Sequence, residues 1–512
     1  MIFKNKKDVY SLNIEDYINE IKRDYFRGVA NIFCALPRCN NEDKKISASF
    51  FDKLLTECSV DNIIRIESKM REMISMEWVV DWGTLNISDF VLDEMTDDQQ
   101  RAVFVFASFN PNGYIREQAI KKLVEYKNSI PFILLRCNDW VGEVRKSAFD
   151  SLVRALKSAT NEEIVYALAF AEKLSRNERC DYDSILEVFS KYFRGNDELI
   201  RAGLRSKEIK IRKFCISIIS RLDNINYEYL MYYIKYERDP LLRKKLFNIL
   251  VKGNNSGIDG IELSKIFIND KYPANRSLAL EYLYYNNFKD IQDIARSMIM
   301  DKNAKVRSLA CRIMLKYVAQ SKIYEIYLEN IDINPKVSIC GLGEMGDKKD
   351  CRLIEQFLTD SRVSVIRSAM IALMRLDSDK YISCITEMLA SEKSGIVKTA
   401  TLLLKNNEIY DYERIYQIQS LSINENTKIK CASLLFANSK WKSIIYILRL
   451  IGSGYEKLDN LCMNQLNRWN ASYNRSYTTL SDQDKKIILQ LLDEKSESIS
   501  PATLKYMLWL IK

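Results

Sequence analysis

The chain has 512 residues, of which 47% are hydrophobic and 28% charged, and its formal net charge is +9. With 15 Gly and 7 Pro it has too few turn-forming residues for a loop-rich β-sandwich or a disordered chain, so the composition favours helices. The chain contains no His, which excludes Ser-His-Asp and Cys-His nucleophile systems, imidazole general bases and His-containing metal sites within it.

Residues 1–108 contain helical patterns such as DDQQRAVFVFAS but lack the spacing seen later in the chain. This region is acidic, because residues 1–100 hold 13 Lys and Arg against 19 Asp and Glu. The first twenty residues have no continuous apolar stretch of the leader type, and no later run has the roughly 18 uncharged apolar residues that cross a bilayer. We therefore predict a helical cap over 1–108, and a soluble, cytoplasmic chain without a membrane partner.

From residue 109 onward one segment type recurs, in which an aliphatic residue precedes a basic residue and a small or core-facing residue follows three positions later. Segments such as EVRKSAFDSLVRAL and KVRSLACRIMLKYV show it clearly. The small or core-facing positions are Ala119, Ala148, Cys215, Leu246, Ala279, Ala310, Gly341, Ala369, Ala400 and Ala432. Their intervals are 29, 67, 31, 33, 31, 31, 28, 31 and 32 residues, and the 67-residue interval holds a divergent unit near DYDSILEVFSKYF.

A period near 31 residues accommodates two helices of about 12 residues and two short turns. We call the helix with the recurring segment the first helix of each hairpin. Second helices are predicted at NEEIVYALAFAEKLSR, FKDIQDIARSMIMD, CRLIEQFLTD and SDKYISCITEMLAS. Neither helix buries its apolar stripe alone, so the hairpins must stack. The pattern predicts an all-α fold, an α-α superhelix of about eleven two-helix units over 109–451.

The turns before the first helices carry helix-start residues. Acidic residues suit a helix N-terminus, and proline is tolerated in the first turn. Predicted turn residues are Asp139, Asp239, Asp301 and Asp360, with helix-start prolines at Pro240 and Pro335. Residues 452–512 again fall outside the repeat spacing, and we predict a helical C-terminal cap there.

The segments NDWVGEVRKSAFDSLVRAL and DKNAKVRSLACRIMLKYV resemble the first helix of the short, PBS-lyase-like bacterial HEAT repeat, an armadillo-like type. The resemblance covers about Asn110 to Ile451. It implies a structural ladder between repeats, formed by the turn Asp and the Arg after the aliphatic residue, here Asp139 with Arg145 and Asp301 with Arg307. The chain departs from the pattern at Ser338, Lys398 and Lys430, which stand where it has Arg.

The 12 Cys run from Cys34 to Cys462 without a CxxC pair, and several occupy apolar helical positions, such as Cys215, Cys311 and Cys431. We expect them to be free and reduced, as in a cytosolic protein. No clustered ligand spacing indicates a metal, and no motif indicates a cofactor or a small-molecule substrate.

Residues 201–250 are the most basic part of the chain, with 12 Lys and Arg against 5 Asp and Glu. Such side chains can neutralise phosphates or contact an acidic partner, and nearby aromatic rings can stack on unpaired bases. The alternative is that Arg212 and Arg243 belong to the structural ladder and the lysines form a solvated face. The candidate binding residues are Arg205, Lys207, Lys210, Lys213, Lys244, Lys245, Tyr232 and Tyr236.

The HEAT resemblance implies scaffolds rather than enzymes. We expect a non-enzymatic scaffold or adaptor whose concave surface, lined mainly by second helices from about Ala148 to Ala432, holds a protein partner. A nucleic-acid-binding solenoid centred on 201–250 is the alternative. A third hypothesis is a DNA glycosylase resembling the HEAT-like group, which implies a basic groove and a carboxylate, with Asp139 beside Trp140 as its local indication.

Overall fold

The structure is a computed structural model that describes residues 14–21, 25–74, 80–175, 179–222, 226–252, 260–407, 411–473 and 478–511. The chain forms two compact units, Met1–Gly260 (unit 1) and Ile261–Lys512 (unit 2). Each unit is described by itself below.

Unit 1 begins with helices outside the repeat spacing and continues with helical hairpins. Its helices are α1 Ile14–Glu20, α2 Tyr25–Ala35, α3 Asn41–Glu57, α4 Val60–Ile74, α5 Asp97–Ala107, α6 Gly113–Leu123, α7 Ile130–Arg136, α8 Gly142–Leu156, α9 Asn161–Leu174, α10 Tyr182–Phe193, α11 Asp197–Arg205, α12 Ile209–Ile219, α13 Tyr227–Ile234 and α14 Pro240–Lys252. Short 3-10 helices lie at Leu36–Arg38, Trp82–Thr84 and Ile87–Phe90.

Unit 2 continues the hairpin series. Its helices are α15 Gly260–Phe267, α16 Pro273–Tyr285, α17 Ile291–Met298, α18 Ala304–Met314, α19 Gln320–Glu329, α20 Pro335–Met345, α21 Cys351–Glu355, α22 Val363–Leu376, α23 Ser378–Glu387, α24 Ser394–Lys405, α25 Tyr412–Leu421, α26 Glu425–Leu435, α27 Lys440–Leu450, α28 Glu456–Ala471, α29 Asp482–Glu494 and α30 Pro501–Ile511. Its 3-10 helices are Lys348–Asp350, Gln356–Thr359, Met388–Ala390 and Ser496–Ser498.

The predicted fold class is confirmed, since the described residues form helices and turns without a strand. The four predicted second helices are α9, α17, α21 with its 3-10 extension, and α23. The divergent segment DYDSILEVFSKYF forms α10. In unit 2 the first helices α20, α22, α24 and α26 stack on one another, and the second helices α23 and α25 pack beside them. Each unit is an all-α stack of helical hairpins.

The recurring small or core-facing position lies at the centre of each hairpin's core. All ten of these residues are buried, from Ala119 in α6 to Ala432 in α26. A side chain at this position faces the neighbouring hairpin, so its size decides how closely the helices approach. At Gly341 a Cβ atom would lie 2.2 to 2.4 Å from ring atoms of Tyr327, so the tyrosine ring fills the space that a methyl group occupies elsewhere.

The four turn aspartates act as predicted at the starts of first helices. The Oδ1 atoms of Asp139, Asp239, Asp301 and Asp360 each accept a hydrogen bond from the backbone N–H two residues later, at 2.7 to 3.0 Å. Proline opens α14 and α20, where its missing N–H has no helical acceptor in any case. These contacts satisfy part of the unpaired backbone donors at each helix start.

The remaining expectations concern the ends and the cysteines. α1 to α5 precede the hairpins and α28 to α30 follow them, and the predicted boundaries at 108 and 451 stay predictions. The 12 cysteines form no disulfide, and Cys215 and Cys431 are buried; that they are reduced stays a prediction. Among the described helices, none combines the length and the apolar character that crossing a bilayer requires.

Candidate functional site

A buried ion pair joins the first two hairpins of the series. Arg116 on α6 donates to Asp139 from Nε at 2.9 Å and from Nη2 at 2.8 Å, and neither side chain has exposed surface. Arg116 Nη1 also donates to the backbone carbonyls of Asn110 and Pro111. Burial lowers the pKa of Arg116, while Asp139 acts in the opposite direction. Because every donor has an acceptor, the buried charges compensate each other.

The resemblance pairs Asp139 with Arg145, but the structure divides the two contacts between different arginines. Arg145 Nη1 donates to the backbone carbonyl of Asp139 at 2.7 Å, whereas the Asp139 carboxylate is held by Arg116 of the preceding hairpin. Asp139 therefore connects the start of α8 to the hairpin before it.

The same arrangement recurs around Asp301 in unit 2. Arg276 of the preceding hairpin donates to both carboxylate oxygens of Asp301 at 2.7 Å, and Arg307 Nη1 donates to its backbone carbonyl at 3.0 Å. Arg307 Nη2 reaches Glu344 on α20 at 2.6 Å. Desolvation lowers the pKa of Arg307, but the hydrogen bond to Glu344 and the charge of Glu344, together with smaller electrostatic contributions, raise it more, so the net shift is upward.

At the turn before α14 the sequence pattern indicated Asp239, but Glu237 is the residue that pairs with arginine. Arg212 donates to both Glu237 oxygens at 3.0 and 3.1 Å, and the buried Tyr233 hydroxyl also donates to Glu237. Asp239 instead caps α14 through the N–H groups of Leu241 and Leu242. The sequence pattern did not predict Glu237, because the glutamate lies two residues before the aspartate of the pattern and reaches the arginine with its longer side chain.

Among the described residues, the hairpins from α20 onward show no such pair between an arginine and the turn carboxylate of the next hairpin. Ser338 is buried without a hydrogen-bond partner for its hydroxyl, and Arg367 donates to the Thr399 hydroxyl at 2.7 Å instead of to a carboxylate. Lys398 and Lys430 are exposed.

Asp139 does not have the environment that glycosylase chemistry needs. Its carboxylate is fully buried and accepts from Arg116, Arg136 and the N–H of Val141. Arg116 lies 3.9 Å from the Trp140 ring centroid, so that ring is stacked on the same network. A carboxylate with both oxygens engaged and no exposed surface cannot approach a base in a groove.

The basic stripe predicted over 201–250 divides into two groups. Lys210 Nζ lies 2.6 Å from Asp61 on α4, and Lys213 forms an ion pair with the buried Glu172 on α9. Burial and the nearby charge of Lys213 lower the pKa of Lys245. These three lysines face α4 and α9, two earlier helices that carry the acidic side chains Asp61 and Glu172.

The second group is on α11 and α13, around two exposed tyrosines. The rings of Tyr232 and Tyr236 are 58% and 64% exposed, and their centroids lie 4.8 Å apart. A hydrogen bond with Tyr236 raises the pKa of Tyr232, and the charge of nearby Arg205 acts in the opposite direction. Arg201, one helical turn before Arg205, lies 5.1 Å from the Tyr229 centroid.

We call Arg201, Arg205, Tyr229, Tyr232 and Tyr236 the Arg–Tyr surface. Among the described residues, neither arginine lies within ion-pair distance of a carboxylate. Arg201 and Tyr229 were absent from the sequence-based set, although the four-residue spacing of Arg201 and Arg205 on one helix indicated a shared face.

Lys207 and Lys244 are exposed and also lack a carboxylate partner in the described part of unit 1. The structure therefore does not bring all the predicted lysines into one stripe. Across the described ranges, no group of three or more Cys, Asp or Glu side chains has the arrangement of a metal site.

No protein-family model matches the chain, and neither does any curated protein. Among solved structures, importin beta has 11% identity and a TM-score of 0.35, covering 97% of this chain and 82% of that one. The S. pombe condensin Cnd3–Cnd2 subcomplex has 12% identity and a TM-score of 0.36, covering 95% and 79%. Kap121p has 11% identity and a TM-score of 0.29, and this chain, 94% covered, spans 55% of its length. These similarities concern the type of fold alone.

Proposed function

We propose that this chain is a non-enzymatic scaffold or adaptor that binds a protein partner, with the Arg–Tyr surface as its contact in unit 1. The observation that carries the proposal is the pairing of two exposed tyrosine rings beside two arginines that have no carboxylate partner. Stacked hairpins hold these side chains on rigid helices, so little conformational entropy is lost when a partner binds.

The residue types of this surface are those that dominate the energetics of protein interfaces. Tyr and Arg are enriched among the residues whose truncation weakens binding most. Each tyrosine offers a large apolar ring and a hydroxyl group with only two rotatable side-chain bonds. Tyr232 and Tyr236 already pack against each other, so they form one contact area in the unbound chain.

The charge of the surface indicates an acidic segment of the partner. Three further exposed cations add to the positive charge of Arg201 and Arg205. They are Lys207, Lys235 and Arg238, at or just after the C-terminal ends of α11 and α13. Charge complementarity speeds association and disfavours basic partners. We infer that the partner contributes a peptide segment in which Asp or Glu alternates with apolar residues.

Nucleic acid is a poorer match for this part of unit 1. Lys210 and Lys213 are already neutralised by Asp61 and Glu172. The exposed Glu198 at the start of α11 and Glu228 at the start of α13 interrupt the positive charge. A phosphate backbone needs a continuous cationic track, whereas a peptide with local acidic groups does not.

Selection from a random peptide library tests this proposal. The full chain is the target, and binders to an Arg205→Glu, Tyr232→Ala variant are removed by counter-selection. We expect the enriched peptides to carry net negative charge together with apolar residues. Truncating a central tyrosine is expected to weaken the best peptide by about 2 kcal/mol, or roughly 30-fold in Kd.

Lys157→Glu provides the matched control, because Lys157 is exposed at the end of α8 and has no ion pair among the described residues. This variant should bind the enriched peptides as the unchanged chain does. Peptides without net negative charge, or an equal loss of binding in Lys157→Glu, would contradict the proposal.

We also propose that the hairpins are of the short HEAT type and that the protein acts in the cytoplasm. The Arg–carboxylate pairs of Arg116, Arg212 and Arg276 support the repeat type. The 12 free cysteines support a reducing compartment.

A further inference from the structure

On five consecutive first helices of unit 2 the exposed charged side chains are almost entirely cationic, and they lie beside exposed Ile371 and Leu402. Helices α18, α20, α22, α24 and α26 form this surface, which we call the first-helix face. Its exposed cationic side chains are Lys305, Arg312, Lys336, Arg367, Arg375, Lys398, Lys405 and Lys430. The one exposed acidic side chain on the same described helices is Glu344, and Arg307 binds it at 2.6 Å.

These cations are arranged in two rows. Each first helix contributes one member of the first row, which consists of Lys305, Lys336, Arg367, Lys398 and Lys430. The first two lie five residues before the buried core position of their helices and the other three lie two residues before it, so the row shifts by three residues between α20 and α22. Arg312, Arg375 and Lys405 lie seven or eight residues after the first-row member of their own helix. At 1.5 Å per residue, the second row is about 10–12 Å from the first.

The cations of the first-helix face differ from those of the second helices in having no acidic partners. Among the described residues, none of the eight lies within ion-pair distance of a carboxylate, and Arg367 contacts only the Thr399 hydroxyl. On the second helices, in contrast, Lys322 pairs with Glu325 and Lys380 pairs with Glu355, both at 2.8 Å. The positive charge of the first-helix face is therefore available to an outside ligand.

A groove opens at one end of the first-helix face, with a volume of about 820 Å³. Lys305 and Arg312 of α18 line it together with Arg375 of α22. The acidic lining residues are Glu344, which Arg307 already neutralises, and Glu281. The groove thus brings members of both rows to one cavity.

We propose that the first-helix face binds the phosphate backbone of double-stranded DNA. The stacked helices α20, α22, α24 and α26 lie about 8–10 Å apart, so these four span about 24–30 Å, somewhat less than one turn of B-form DNA. Helix α18 lies beyond α20 and is linked to it by the contact of Arg307 with Glu344. The two rows are separated by about the 12 Å width of the major groove, so each row can follow one strand. Exposed hydroxyl groups beside the rows can donate to phosphate oxygens, and they belong to Ser308, Ser364, Ser394 and Ser433.

The composition of these helices favours a duplex over single strands or an acidic protein. No Phe, Tyr or Trp occurs in the five helix segments, so they lack the rings on which unpaired bases stack. Two cationic rows at a fixed separation match two phosphate backbones, whereas an extended acidic peptide presents one. The proposal stands on unit 2 alone and does not depend on the Arg–Tyr surface of unit 1.

Fluorescence anisotropy of the full chain with a labelled duplex of about 20 base pairs, at about 50 and about 200 mM NaCl, tests the proposal. With five or more phosphates in contact, affinity should fall about 500-fold or more over this range. A Lys336→Glu, Arg367→Glu, Lys398→Glu variant should lose at least about 10-fold in affinity at the lower salt concentration. Its slope of log affinity against log salt should be smaller by about 3.

The matched control reverses three cations outside the first-helix face, in Lys322→Glu and Arg352→Glu on second helices and Lys486→Glu on α29. This variant and the Arg205→Glu, Tyr232→Ala variant should bind the duplex like the unchanged chain. The second comparison distinguishes a failure of the DNA-binding proposal in unit 2 from a failure of the function proposed for unit 1. The duplex is compared with single-stranded DNA, double-stranded RNA and polyglutamate, each of which should bind more weakly. Absence of salt-dependent duplex binding, tighter binding of any comparison ligand, or an equal loss in the matched control overturns the proposal.

Discussion

Arg116 and Asp139 are joined by two hydrogen bonds of 2.9 and 2.8 Å across 23 residues of chain, and both side chains are fully buried. The pair links a first helix to the turn of the next hairpin, so it fixes how two successive hairpins meet. A buried pair of this kind adds little over an apolar replacement, but losing one partner leaves the other charge uncompensated.

Arg116→Ala should therefore lower the free energy of unfolding by about 3–5 kcal/mol. Asp139 would keep only Arg136 and backbone N–H donors. Urea denaturation followed by circular dichroism measures the change. Arg362→Ala, which removes the exposed partner of Asp360, is the control and should change stability far less. Equal effects of the two substitutions would show that burial of the pair is irrelevant.

Glu237 should matter more than Asp239 to the stability of unit 1. Glu237→Gln removes the charge that Arg212 contacts through two nitrogens, and we expect a loss of about 2–4 kcal/mol. Asp239→Asn keeps an oxygen that accepts from the N–H groups of α14, so its effect should stay below about 1 kcal/mol. Urea denaturation of both variants measures their free energies of unfolding. A larger loss of stability for Asp239→Asn than for Glu237→Gln would contradict the assignment of Glu237 as the partner of Arg212.

The repeat period predicted the hairpins well because it records a packing requirement. A small residue recurs wherever a first helix approaches its neighbour, and the ten such positions are buried in the structure. Arginine partners were harder to predict, because a carboxylate can reach the same point from different positions. Glu237 replaces the patterned aspartate from two residues earlier, and Arg307 reaches Glu344 on the following first helix.

Gly343 should tolerate no larger residue, because α20 and α22 come into close contact there. An added Cβ would lie 2.6 Å from Ala372 Cβ and 2.8 Å from its Cα, so the backbone itself would have to move. Gly343→Ala should lower stability by about 1–3 kcal/mol. Adding Ala372→Gly should restore part of the loss in urea denaturation. Failure of the second substitution to restore any stability would place the strain elsewhere.

Alkaline pH should destabilise the chain through its buried thiols. Burial raises the pKa of Cys431 to about 12 and that of Cys462 to about 12. Because the folded-state pKa is raised, the stabilisation is complete below the ordinary thiol pKa and is lost as pH rises toward 12. Each thiol contributes a slope of at most about 1.4 kcal/mol per pH unit in that window.

Urea denaturation at pH values from about 8 to about 11 measures this slope. A Cys431→Ala, Cys462→Ala variant should start less stable at the lower pH, because two small cavities form. Its stability should then fall less steeply with pH than that of the unchanged chain. Parallel pH profiles would exclude these thiols as the cause.

The cations without an acidic partner were harder to predict from sequence than the fold, for an electrostatic reason. Sequence counts located the densest positive charge at 201–250, but Lys210 and Lys213 are neutralised by Asp61 and Glu172, which lie 149 and 41 residues away in the chain. The cations of unit 2 are more dilute in sequence and recur once per hairpin, so only stacking places them side by side. The signal that would have found them is the 31-residue spacing from Lys305 to Lys398.

The first row of the first-helix face should also make the stability of unit 2 depend on salt. Neighbouring cations about 10 Å apart repel by about 0.4 kcal/mol in water, and salt at about 0.1 M screens much of this repulsion. The double variant Lys336→Gln, Lys398→Gln removes four of these repulsive pairs of neighbouring cations. Its free energy of unfolding at low salt should therefore be higher by about 1 kcal/mol. Gln has a helix propensity close to that of Lys, so the backbone contribution changes little.

Thermal unfolding at about 10 mM and about 500 mM NaCl measures the effect, and the two chains should become equally stable at the higher concentration. The control is Lys322→Gln on the second helix α19 combined with Lys486→Gln on α29, and it should not raise stability at low salt, because Lys322 is attracted to Glu325. If the two first-row substitutions lowered stability at low salt, the rows would not be a region of mutual repulsion, and the electrostatic basis for polyanion binding on this face would fail.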